Sequence, residues 1–131
     1  MHSFVLQEWT TVRGQSAAPL IQAEPDWLDL APFQDLVAWI DVRGSSGTTT
    51  PVLYLETAPA KDDVLFVSMN GTFAIPNGYT MTAANSPQVA QLLMGVAVTP
   101  LARFLRWKII GPASLWDATF RIVVAANSPG M

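Results

Sequence analysis

The chain has 131 residues, half of them hydrophobic and only 13% charged, against about a quarter charged in an average globular protein. That balance excludes a disordered chain, which needs low hydrophobicity and high charge, and no apolar run reaches the ~18 residues of a membrane-spanning helix. The net charge is −3, and Lys61, Lys108 and the five arginines form no cluster, which excludes the basic stripe that nucleic-acid binders need to neutralise phosphates.

Zero cysteine removes disulfides, thiol chemistry and most structural zinc sites. The start, Met1-His2-Ser3-Phe4, lacks the basic segment and apolar run of a signal peptide. The length predicts one domain spanning residues 1–131.

Ten prolines and eight glycines divide the chain into short segments rich in β-branched and aromatic residues, the pattern of many short strands. Phe4 to Val12 reads as the first strand. Gly14 to Pro32 reads as a polar, proline-bearing connection or an extended arm, in which Trp27, Leu28 and Leu30 form a short strand or an anchored loop. Phe33 to Arg43 alternates, with Leu36, Ala38, Ile40 and Val42 on one face. Gly44 to Thr48 then reads as a hairpin turn, and Pro51 to Thr57 as the returning strand, with Leu53 and Leu55 inward.

Val64 to Met69 reads as a short apolar strand, Asn70-Gly71 as a tight hairpin turn, and Thr72 to Ile75 as its return. Pro76-Asn77-Gly78 turns again. Tyr79 to Ala84 reads as a further strand, and Val89 to Thr99 as either a helical turn or a strand, with Val96 to Thr99 favouring strand. Leu101 to Ile110 places Leu105, Trp107 and Ile109 on one face, with Arg106 and Lys108 on the other. Gly111-Pro112 reads as a second hairpin turn, and Ala118 to Ala126 as the return, with Phe120, Ile122 and Val124 inward. Seven to nine strands and no convincing amphipathic helix predict an all-β fold, an antiparallel β-sandwich of jelly-roll type.

The chemistry-bearing inventory is thin. His2, the single histidine, lies next to a terminus expected to be loose, so no serine has a base to activate it. Gly44-Ser45-Ser46-Gly47 lacks the lysine and helix of a phosphate loop. Asp26 and Asp29, and the adjacent Asp62 and Asp63, read as solvated loop carboxylates rather than a glycosidase pair or a calcium site. The expectation is therefore a protein that is not an enzyme and has no catalytic residue, cofactor or metal.

Five tryptophans remain to be placed: Trp9, Trp27, Trp39, Trp107 and Trp116. Trp107 shares the inward face of its strand and reads as core. Trp39 and Val37 fall opposite Ile40 and Val42, giving that strand a second apolar face that another element or subunit must cover. Arg106 and Arg121 occupy outward positions near the C-terminus. Val37, Trp39, Arg106 and Arg121 are the candidate interface residues, since tryptophan and arginine are enriched at interface hot spots.

Asp35 to Pro59 (DLVAWIDVRGSSGTTTPVLYLETAP), with Arg103 to Trp107 (RFLRW) and Ala118 to Ile122 (ATFRI), resembles a pattern in small virion accessory proteins of tailed bacteriophages. The resemblance implies a jelly-roll-like sandwich that decorates a capsid or binds another virion part. Its partners would be itself, as a homo-oligomer such as a trimer, and a capsid or other virion protein, with neither nucleic acid nor membrane. The alternative is a carbohydrate- or peptide-binding β-sandwich module of a cytoplasmic or secreted bacterial protein.

Overall fold

The computed structural model describes residues 2–15, 18–69, 79–82, 88–92 and 101–128. Its strands are β1 (His2–Gly14), β2 (Leu20–Ile21), β3 (Leu28–Asp29), β4 (Asp35–Ser46), β5 (Val52–Ala58), β6 (Val67–Ser68), β7 (Tyr79–Thr80), β8 (Gln88–Leu92), β9 (Phe104–Ile110) and β10 (Trp116–Asn127). Helix is confined, among the described residues, to single 3₁₀ turns at Glu24–Asp26 and Asp63–Leu65. The second turns expected at Asn70-Gly71 and 76–78, the strand at 72–75 and the strand at 96–99 lie outside the described residues.

All pairings are antiparallel. The first sheet has the order β1-β10-β4-β8, and the second β2-β9-β5-β6. On the second sheet β3 also pairs with β9, next to β2, and β7 also pairs with β5, next to β6. The fold is an all-β antiparallel sandwich.

Period-two alternation puts the same face of each long strand inward. Leu36, Ala38, Ile40 and Val42 of β4 and Phe120, Ile122 and Val124 of β10 meet Leu53 and Leu55 of β5 and Leu105, Trp107 and Ile109 of β9 in one buried cluster. Trp107 and Phe120 join the two sheets edge to face, ring centres 5.3 Å apart. All the inward residues expected from alternation are in this core.

The expected hairpins are corrected. β4 and β5 belong to different sheets, as do β9 and β10, so each connection crosses the sandwich instead of turning within a sheet. Alternation tells which face of a strand is apolar, but a strand packed across the core shows the same pattern as one paired alongside. The first turn also falls later than expected. Gly44 is still in β4, opposite Thr119, and the chain bends at Gly47, whose φ of 146° favours glycine.

Of the two readings of this segment, a connection or an extended arm, residues 18–32 form a connection tied to their own chain. β2 and β3 each pair with β9, leaving a gap between them that Gln22 fills. Gln22 is only 3% exposed. Its N–H donates to the Trp107 carbonyl at 3.1 Å and its Nε2 to the Leu6 carbonyl at 2.7 Å. Its Oε1 accepts from the Trp107 N–H at 3.4 Å. The register of β1 against β10 shifts between Val5 and Gln7 and again between Gln7 and Thr10. The first shift lets Leu6 enter the core while Gln7 accepts the Trp107 indole N–H at 3.0 Å.

Trp116 is the first residue of β10 and is 1% exposed. A Cβ at Gly14 or Gly111 would collide with its indole ring. Both glycines are there because the ring needs their backbone at close range.

Two outcomes test this core in urea denaturation. Trp107→Ala, which empties the inter-sheet contact, should cost about 3–5 kcal/mol. Gln22→Ala, which strands the Leu6 carbonyl and the Trp107 N–H, should cost about 1–3 kcal/mol for each group left unpaired.

Candidate functional site

β5 and β9 run in register with Glu56 opposite Arg106 and Tyr54 opposite Lys108. With Leu105, Trp107 and Ile109 inward, Arg106 and Lys108 face outward as expected. Arg106 is nevertheless 3% exposed, so its assignment to an exposed interface is corrected. Two connections fold over it, the first bringing Trp27 and the second Phe66. The covering comes from residues 40 and 79 positions away along the chain, which strand alternation does not encode.

Beneath that cover the guanidinium makes two ion pairs and stacks on two rings. Its Nε donates to Glu56 Oε1 at 2.9 Å and its Nη1 to Asp63 Oδ1 at 2.6 Å. Its central carbon sits 3.8 Å from the Phe66 ring centre and 4.9 Å from that of Trp27. Trp27 and Phe66 meet edge to face at 4.8 Å, and the Trp27 indole donates to the Gln22 carbonyl at 2.8 Å. The second oxygen of Glu56 pairs with Lys108 at 3.0 Å. Ala58, Phe66 and Phe104, with Trp27 against them, form a second small core on this outer face.

This network fixes a corner. Asp62 accepts from the Val64 N–H at 3.3 Å, and the Leu65 N–H donates to the Asp62 carbonyl at 3.0 Å. Asp62 and Asp63 thus cap a turn and bind a cation that belongs to the chain. Among the described residues no group of three or more His, Cys, Asp or Glu side chains is placed to hold a metal. Held between the Asp63 anchor and the buried Phe66, the corner displays Val64 at 82%, Leu65 at 42% and Val67 at 51% exposure. Where the sequence predicted one strand from Val64 to Met69, the structure has a 3₁₀ turn followed by the two-residue β6.

Beside the corner, Arg103 donates to Asp29 at 3.1 and 2.8 Å and lies 5.0 Å from the Phe104 ring centre. The hydrogen bond from Arg103 holds the Asp29 carboxyl below its ordinary value, and the same bond raises the Arg103 guanidinium. Because the folded carboxyl is the more acidic, the tie stabilises at neutral pH and is lost as pH falls through the lowered value. Both partners are exposed, so its contribution is small.

Val37, Trp39 and Arg121 lie elsewhere, on the outward face of the first sheet. Trp39, Val123 and Val5 form one cross-strand row over β4, β10 and β1. Arg121 lies opposite Asp41 and pairs with Glu8 at 2.9 Å. His2 is not loose: it pairs with Ala126 in β1, and its ring packs edge-on to Phe33 at 5.3 Å.

Arg106→Ala should destabilise the chain by about 3–5 kcal/mol in chemical denaturation, because it leaves Glu56 buried beside a single cation. Arg106→Lys should recover little of that loss, since an ammonium cannot span Glu56 and Asp63 while stacking on Phe66.

No protein-family model matches this chain, and no curated protein or solved structure matches it at a significant level.

Proposed function

We propose that this chain is a non-enzymatic assembly protein of the virion-accessory kind, which docks on a capsid or other virion surface through the corner at Val64, Leu65 and Val67. The observation that carries the proposal is the pairing of a buried ion network with an exposed apolar tip. Arg106, Glu56, Asp63, Trp27 and Phe66 immobilise a turn whose outermost side chains are apolar and open to solvent. A rigid apolar tip loses little conformational entropy on binding, which is what preorganisation contributes to affinity.

Strand order supports the same proposal. Counting β2 with β3, and β6 with β7, as single columns gives eight strands in two four-column sheets, ordered 1-8-3-6 and 2-7-4-5. We take this order as a jelly roll, an architecture that recurs in capsid and lectin domains. The low charged fraction and the resemblance of the β4–β5 and β9–β10 segments to phage accessory proteins point the same way. Fold alone specifies no function, so the corner carries the weight. Repetition of a shell adds avidity of about 10²–10⁴ over one contact when a homo-oligomer engages several sites at once.

Co-sedimentation with capsids lacking the protein, together with light scattering of the purified chain, tests this. Val64→Asp and Leu65→Asp should keep the melting temperature within a few degrees and weaken shell binding at least about tenfold, since a charge is placed in an apolar contact. Wild-type binding by both variants would overturn the assignment of the corner.

A further inference from the structure

The outward face of the first sheet carries a second exposed apolar group, and its composition differs from that of the corner. Trp39 on β4 is 37% exposed and Trp9 on β1 is 44% exposed. The second register shift of β1, between Gln7 and Thr10, leaves Glu8 and Trp9 together outside the strand's regular alternation. Glu8 there reaches Arg121 of β10. Two strand spacings across and about two residues along separate the Cα positions of the two tryptophans by roughly 12 Å. Beside them runs a row of charged side chains, Glu8, Arg121 and Asp41, extended by Arg43, whose Nη2 donates to Asp41 at 3.0 Å.

From this arrangement we propose that the face binds a neutral oligosaccharide, with Trp9 and Trp39 as stacking platforms and the charged row as hydrogen-bonding floor. A pyranose ring has an apolar face of C–H bonds that packs on an indole, and a rim of hydroxyls that needs donors and acceptors together. Carboxylates accept from those hydroxyls, and the Arg121 guanidinium carries N–H groups beyond the Nε that faces Glu8. Two acids and two bases cancel, so the row exerts no net field favouring an acidic glycan. A protein partner fits less well. Specific interfaces bury about 800 Å² per side around an apolar centre depleted of charge, whereas here a row of charges crosses the face next to the aromatic groups.

A glycan array, followed by titration of the strongest oligosaccharide against tryptophan fluorescence, tests the proposal. Trp9→Ala and Trp39→Ala should each weaken binding about tenfold or more, while Trp39→Phe, which keeps a stacking ring, should retain most of it. Val64→Asp should bind the glycan normally, so failure of shell docking and failure of this site are read separately. Absence of binding to any oligosaccharide would overturn the proposal, as would unchanged binding by folded Trp9→Ala and Trp39→Ala chains. So would a Trp39→Ala chain that loses self-association while the wild type binds no glycan.

Discussion

Taking a guanidinium out of water costs several kcal/mol unless its charge and its N–H groups find partners, and the outer layer of the second sheet is organised around meeting that demand for Arg106. Glu56, opposite it in the ladder, supplies the charge. Asp63 supplies a second acceptor from a connection that would otherwise hang free. Phe66 and Trp27 close over the ion from two different connections, and Trp27 is tied in turn to Gln22. One desolvated cation therefore fastens residues 22–30 and 59–68 to β5 and β9. The exposed apolar corner is tied to the sheet through its neighbour Asp63, one of the ion's partners.

The two sheets share the inner core but use their outer faces differently. The second sheet is covered by its own connections over the Phe104–Glu56 half, and little of that half faces solvent. The first sheet leaves Val5, Trp9 and Trp39 exposed, next to the paired charges. The two outer faces lie on opposite sides of the same core.

Much of the core was legible in the sequence, because burial on one side of a strand imposes a period of two that eight or ten residues suffice to show. Leu36 to Val42, Leu53 and Leu55, Leu105 to Ile109 and Phe120 to Val124 all announce their inward faces. Pairing was not legible: β4 and β5 are consecutive and alternate alike, yet the core separates them. Neither was the fate of Arg106, since an outward position in a strand is exposed only if nothing distant folds over it. Trp116 was missed for a related reason. Its pocket is made by the missing side chains of Gly14 and Gly111, and such glycines look like turn residues in a sequence. The exposed corner had one visible sign, the apolar Val64-Leu65-Phe66 directly after two aspartates, but which of those three turns inward depends on the Arg106 network.

The irregular course of β1 has a consequence for how this molecule meets others. A strand at the border of a sheet offers unpaired N–H and C=O groups to any passing chain, and a long flat one invites fibril-like growth. β1 is thirteen residues long and forms such a border. Its two register shifts bend and twist it, so no straight run of more than a few residues is available for an intruding strand to copy. Crowding many copies together on a surface then favours contacts through side chains, which are reversible and saturable, over open-ended backbone polymerisation.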